Sequence, residues 1–251
     1  MITDSFDPIT EAIVTPAALC REERRHVADV AIATFSEKIL AEALNRFPHE
    51  TLCHLASVNG GRDVYLIREG DFCAVIFLIH VGASPGASDV IEVNWLTGAE
   101  KFIMFGSAGS LDREATAGKY VIPTAAYRDE GMSYHYAPPA DYIEIKNADF
   151  LADFFARHSF PYVKGRVWTT DAIFRETADK IAFRKEEGAK IVEMEQAGCI
   201  AVARFRHFSY GALIYGGDDL SGPEWDGRSW RSREGVRYDL VRLCAALVSE
   251  I

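Results

Sequence analysis

The 251-residue chain has no excess of basic charge: 27 Lys and Arg stand against 37 Asp and Glu, a formal net charge of −10. A general nucleic-acid binder shows the opposite balance. An acidic chain of this kind leaves room for a local basic pocket that takes a small anion, and no nucleic-acid partner is expected. No apolar run approaches membrane-spanning length. The first seven residues lack the basic and apolar regions of a signal peptide. Both absences lead to the expectation of a cytoplasmic protein with no membrane partner. The five cysteines, Cys20, Cys53, Cys73, Cys199 and Cys244, form no Cys-x-x-Cys pair. Neither a zinc site nor a disulfide framework is indicated, and buried reduced thiols are expected. No His/Asp/Cys cluster has metal-ligand spacing, so no metal is expected. Internal repeats, low-complexity segments and linkers are absent too.

What is present is an ordinary globular composition, 49% hydrophobic and 25% charged. Its length suits one α/β unit with a sizeable core. The chain is organised around residues 102–111, where Phe-Ile-Met-Phe runs into Gly106-Ser107-Ala108-Gly109. The apolar run reads as a strand buried on both faces. The glycines predict a turn after it, whose amides form an anion-binding nest with the Ser107 hydroxyl as a further donor. An ordinary glycine turn is the alternative.

Residues 1–26 read as an arm, and 27–251 as one domain. Residues 27–33 predict the first strand, and Ser36 caps a helix over 37–47 with Ile39, Leu40, Ala43, Leu44 and Phe47 on one face. Residues 64–67 and 72–79 predict a hairpin, followed by a glycine-rich loop at 80–86 and a helix over 87–97 that stops at Gly98. Further strands are expected at 120–126, 165–171, 190–195 and 210–215. Helices are expected at 149–158, 178–188, 197–205 and 232–251, the third built of small residues suited to close packing. Strand–loop–helix–strand successions predict parallel crossovers. Polar groups collect at strand ends: Ser107, Thr170 with Asp171, Glu195 and Asp218. In a parallel sheet these ends share one edge and surround one pocket. The other reading is that loops are simply polar.

Five motifs occur in order: Phe-Gly-Ser-Ala-Gly-Ser-Leu at 105–111, Asp-Glu-Gly-Met-Ser-Tyr-His-Tyr-Ala-Pro at 129–138, Val-Trp-Thr-Thr-Asp-Ala-Ile-Phe at 167–174, Val-Glu-Met-Glu at 192–195 and Gly-Gly-Asp-Asp at 216–219. Together they resemble the nucleoside phosphorylase family of uridine phosphorylases and hexameric bacterial purine nucleoside phosphorylases. The resemblance implies a single α/β domain with a mixed central sheet flanked by helices. It implies a pentosyltransferase that cleaves a nucleoside with inorganic phosphate, giving free base and ribose 1-phosphate. Phosphate is then a co-substrate and no cofactor is needed. A homo-oligomer, dimer or hexamer, with pockets completed by a neighbouring copy is also implied.

The same resemblance carries roles to single residues. Glu195 matches the glutamate that accepts bonds from both sugar hydroxyls, and Met194 the methionine packed on the sugar. His135 falls in the pocket wall, where it would bond a sugar hydroxyl. Ile173 and Phe174 fall where side chains pack on the base, and Thr170, at the end of the preceding strand, counts with them as base-binding. Asp218 stands where purine-cleaving members protonate the base, with Asp219 next door as the alternative, and the role calls for a carboxyl raised by burial. Arg228 would position that acid or the base. Gly106 and Ser107 belong to the phosphate site.

That phosphate site departs from the family pattern. The family's glycine-aspartate-proline turn and arginine are replaced by Thr34-Phe35-Ser36-Glu37-Lys38, where Lys38 is a flexible point charge without a guanidinium fork. A second arginine position holds Met104, and a third corresponds loosely to Arg62. Two further readings follow: a nucleosidase that uses water, and a nucleoside-binding protein without turnover. The base is open as well, since Asp218 points to purine and residues 133–138 are more like uridine phosphorylase.

Overall fold

A computed structural model describes residues 1–20, 24–58 and 60–228 of the chain. The helix expected at 232–251, together with Cys244, lies outside the described residues. Residues 1–20 contain a single-turn 3-10 helix and the short helix α1 (Pro16–Leu19), and no strand.

Strand β1 (Val30–Thr34) is buried along its whole length. Ser36 then caps α2 (Glu37–Arg46), its hydroxyl accepting the Ile39 amide at 3.4 Å, and Ile39 and Ala43 face inward. Pro48 stops the helix, as the missing N–H requires. The sequence reading missed β2 (His49–Leu55), whose first residues are exposed and polar. It forms an antiparallel meander with the expected hairpin, β3 (Arg62–Glu69) and β4 (Phe72–Leu78). Helix α3 (Ala83–Thr97) ends at Gly98, which sits at φ 78°, a conformation glycine adopts without strain.

There follow β5 (Lys101–Ser110), α4 (Arg113–Thr116), β6 (Tyr120–Asp129), the three-residue β7 (Tyr142–Glu144), α5 (Ala148–Arg157), β8 (Tyr162–Thr170), α6 (Ala178–Glu186), β9 (Ala189–Glu193), α7 (Gln196–Phe205) and β10 (Ser209–Asp219). No helix among the described residues is long and apolar enough to cross a membrane.

The sheet is mixed. Its order is β10-β6-β8-β9-β5-β1-β4-β3-β2, with β7 beside β6. Strand β10 also pairs with β5, so β10, β6, β8, β9 and β5 close into a ring. Within the sheet β1, β4, β5 and β10 are mutually parallel, as are β6, β8 and β9. The two groups meet antiparallel at β5–β9 and β10–β6. The sheet is thus mixed, as the resemblance implies, and the strand ends do not share the one edge that a wholly parallel sheet would give them. The strand ends still converge, because β5 and β9 pair through their last residues, Gly109 with Val192 and Ser110 with Ile191.

Side chains alternate along β5 into two cores. Phe102 and Met104 join Val90, Val93, Ile200 and Val202 of α3 and α7. Ile103 and Phe105 join Ile39 of α2 and Phe154 and Phe155 of α5. A strand buried on both faces must be apolar at every position, which is the pattern that marked it. The small residues of α7 let it approach α3 closely. A Cβ on Gly198 would lie 3.0 Å from the Ala83 Cβ and carbonyl oxygen.

Candidate active site

The glycine segment of β5 is not a turn. Gly106, Ser107 and Ala108 are extended and pair with Ile214, Tyr215 and Gly216 of β10. Their amides belong to the sheet ladder, so the expected anion nest does not form there. The Gly216–Asp219 segment, expected to follow the last strand, likewise continues β10. The glycines serve close approach instead. A Cβ on Gly217 would lie 2.8 Å from the Ser107 Cβ, and one on Gly106 would lie 2.7 Å from the Phe35 ring.

Glu195 stands between β9 and α7 and is 4% exposed. Its carboxylate accepts the Gly82 amide at 2.7 Å and the Met194 amide at 3.2 Å. Gly82 is the residue before α3, so this carboxylate sits at the positive ends of α3 and α7 together. Burial pushes Glu195 up, against the pull of those two amides. A carboxylate has about four lone-pair positions, so two remain for ligand hydroxyls. Met194 lies beside it, partly buried.

Two residues back, Glu193 is also buried, and both its oxygens are occupied. One accepts the Glu195 and Gln196 amides at 2.7 Å, and the other accepts the Thr169 hydroxyl. Burial, and then the Glu195 charge, push it up. Glu193 is thus a built-in cap that fixes where Glu195 points.

Beside this carboxylate the phosphate features implied by the family pattern are not assembled. Met104 is 1% exposed, with its sulfur 2.9 Å from Gln196 Nε2 and 3.3 Å from the Tyr210 hydroxyl. Tyr210 also donates to Gln196 Oε1 at 2.9 Å. The position is closed core, where an unpaired cation would be costly. The Phe35 ring covers Gly106. Lys38 is exposed on the first turn of α2. Arg62 is turned to the backbone, donating to the Ile79 carbonyl at 3.2 Å.

The other flank is carboxylate-rich. Asp218 is partly buried and accepts the Trp225 indole N–H at 2.7 Å. Arg228 does not reach it. Its guanidinium pairs with Asp219 at 3.0 Å, because backbone bonds between Asp219 and Asp226 fold the segment back in that register. Burial acts to raise Asp219, but bonds from Ser221 and Arg228 outweigh it and hold the carboxyl below the usual range. Arg228, expected to position the acid or the base, is thus paired with Asp219 rather than Asp218. The carboxyl held up near neutrality is Glu176, which the sequence reading missed. Burial, and then the charge of Asp218, bring it to about 7.

Thr170 is 1% exposed, and its hydroxyl is spent on Asp129 and the Ala172 amide. Ile173 and Phe174, expected against a base, are 53% and 96% exposed. His135 is exposed on its 3-10 turn, while Tyr136 packs edge-on against Phe205. In a single chain these three line no wall. A further group missed from sequence is His80, whose Nδ1 lies 2.9 Å from the Asp89 carboxylate. Its only signal was a histidine directly after an apolar strand.

Comparison with known proteins follows this geometry. The family model described as the phosphorylase superfamily matches residues 29–251. A guanosine phosphorylase of Halorubrum lacusprofundi is 25% identical over 132 residues, 51% of this chain and 54% of that protein. The match thus spans about half the length of that curated relative. Among solved structures, futalosine hydrolase of Helicobacter pylori superposes with a TM-score of 0.73 at 16% identity, covering 90% of this chain and 99% of that one. Purine nucleoside phosphorylase from Toxoplasma gondii, in complex with immucillin-H, gives 0.73 at 16% identity over 92% and 99%. These likenesses concern the fold.

Proposed function

The chain belongs to the phosphorylase superfamily, and from that premise we propose that it cleaves the N-glycosidic bond of a nucleoside with water as the nucleophile. The observation that carries the first half is Glu195, a dry carboxylate at two helix starts with capacity left for two hydroxyls. That is what holding a ribose at its 2′ and 3′ positions requires. Hydrolysis is favoured by the nucleophile side: Met104 is core, Phe35 lies on Gly106 and Arg62 is bound to backbone. A dianion there would lack the bidentate donors that hold phosphate firmly.

In the step, the water oxygen bonds to C1′ as the C1′–N bond breaks, and its electron pair goes to the base. The proton that neutralises the base comes from the Glu176–Asp218 pair, where Glu176 keeps its proton to about pH 7. Phosphorolysis is the second reading, favoured by the partial match to a guanosine phosphorylase. Lys38 would then be its anion-binding group.

The test is base release from a panel of purine and pyrimidine nucleosides, with and without inorganic phosphate. Release without phosphate, leaving free sugar, is expected. Release only with phosphate, giving sugar 1-phosphate, would replace hydrolysis by phosphorolysis. Glu195→Ala removes two charge-assisted bonds of about 1.5–3 kcal/mol each, so catalytic efficiency should fall by about 10²–10⁴-fold. Activity surviving that change would refute the sugar site.

A further inference from the structure

Ribose chemistry constrains where a water-activating group can stand. In a β-nucleoside the 2′ and 3′ hydroxyls and the incoming nucleophile share the face opposite the base. A group that activates the nucleophile must therefore sit beside the carboxylate holding those hydroxyls.

Three titratable residues lie near Glu195, two in sequence and one through its backbone across the α3 start. Glu193 is buried and has both oxygens filled by N–H and O–H donors. Cys199 is wholly buried, and burial drives its thiol well up. His80 is the third. It follows β4, and its side chain keeps 24% exposure. Gly86 links it to Glu195: one point, the site of a Cβ on Gly86, lies 3.1 Å from the His80 carbonyl oxygen and 3.5 Å from Glu195 Cγ. Gly82, two residues after His80, donates to Glu195 directly. Ile79 donates to the Thr34 carbonyl, so His80 also borders the β1 end that leads to Phe35.

The ring itself is fixed. Asp89, 5% exposed on α3, accepts the His80 backbone amide at 2.7 Å and lies 2.9 Å from Nδ1. With Nδ1 directed at a carboxylate, the neutral form of the ring is the tautomer that carries its proton on Nδ1 and has its lone pair on Nε2. Nε2 has no partner among the described residues. Glu92 and Arg62 are the other charged groups around the pair.

We propose that His80 is the general base that deprotonates the attacking water, with Asp89 as its positioning residue. This rests on the hydrolytic reading above. Nε2 takes one water proton while the water oxygen forms its bond to C1′. The C1′–N pair leaves with the base, and the base receives its proton from the opposite flank. The imidazolium then returns its proton to solvent.

The test is steady-state hydrolysis by the full-length chain, wild type and His80→Ala, with and without added imidazole, beside Glu195→Ala. A base of this kind contributes about 10²–10⁴-fold. His80→Ala should lower kcat by that order with KM changed less than about threefold, and imidazole should restore much of the loss. Restoration needs a folded site, so it separates lost chemistry from lost structure. Retained kcat, or loss that imidazole does not restore, would overturn the proposal. If the wild type requires phosphate or releases no base, the hydrolytic reading itself has failed. If it hydrolyses without phosphate and His80→Ala is unaffected, the dyad alone has failed.

Discussion

At the scale of single residues, neighbouring carboxyls are tuned differently by their surroundings. Glu176 and Asp219 lie on the same flank, yet burial with the Asp218 charge raises the first to about 7, while Ser221 and Arg228 hold the second down. A carboxyl raised from 4.5 binds its proton more tightly folded than unfolded, so its stabilising effect is complete below about 4.5 and lost as pH rises through about 7. Glu176→Gln should therefore flatten the fall in Tm between about pH 4 and about pH 8, measured by thermal melts across that range. The proton is also the one assigned to the departing base. Wild-type kcat should decline as pH rises through about 7, and an unchanged pH profile in the Gln variant would remove Glu176 from the step. The motif around 167–174 pointed to this flank but stopped two residues short of Glu176. A raised carboxyl needs burial and a facing charge, and neither is visible in one residue's neighbours along the chain.

At the scale of elements, the position of Glu195 depends on how closely α7 meets α3. Gly198 faces Ala83 with no room for a larger group, and the Gly82 amide that binds Glu195 immediately precedes α3. Gly198→Val should push the two helices apart. Overpacking of this kind costs about 1–3 kcal/mol, and each kcal/mol lowers Tm by about 2–4 °C at this size. The same displacement should raise KM for the nucleoside, because it separates Gly82 from Glu195. An unchanged melt with unchanged KM would show that the contact tolerates the side chain. The small residues of 197–205 announced close packing, but not its partner. Strands β5 and β10 taught the opposite lesson. Their glycines read as turns, yet pairing with each other keeps both extended to Ser110 and Asp219. Ladder hydrogen bonds with a distant strand outweighed local turn propensity.

At the scale of the whole molecule, the closed ring brings strand ends together, but it leaves large apolar groups outside. Ile173, Phe174, Phe183 and Trp225 are 53%, 96%, 52% and 66% exposed. Contiguous exposed apolar groups mark surfaces that a partner covers, and Ile173 and Phe174 are adjacent in the chain. We expect a homo-oligomer in which a second copy covers Ile173 and Phe174 and completes the base side. Light scattering at micromolar concentration should give a multiple of the chain mass, and Phe174→Asp should shift it toward the monomer. A wild-type monomer with full activity would count against a shared pocket.

The sequence by itself determined the α/β class, the buried central strand, the cap at Ser36, the stop at Gly98 and the two carboxylates, Glu193 and Glu195, at the end of a strand. Each of these is written in residues close together: an apolar run, a hydroxyl before a helix, a glycine after one, a four-residue motif. Tertiary structure alone decided that β5 and β10 pair to their ends, that Arg228 serves Asp219, that Phe35 lies on Gly106, and that the His80 ring meets Asp89 of α3. Those outcomes depend on which distant segments meet as the sheet curls into a ring, and on the burial that follows. Burial and long-range pairing are properties of the folded whole, so no local pattern could carry them.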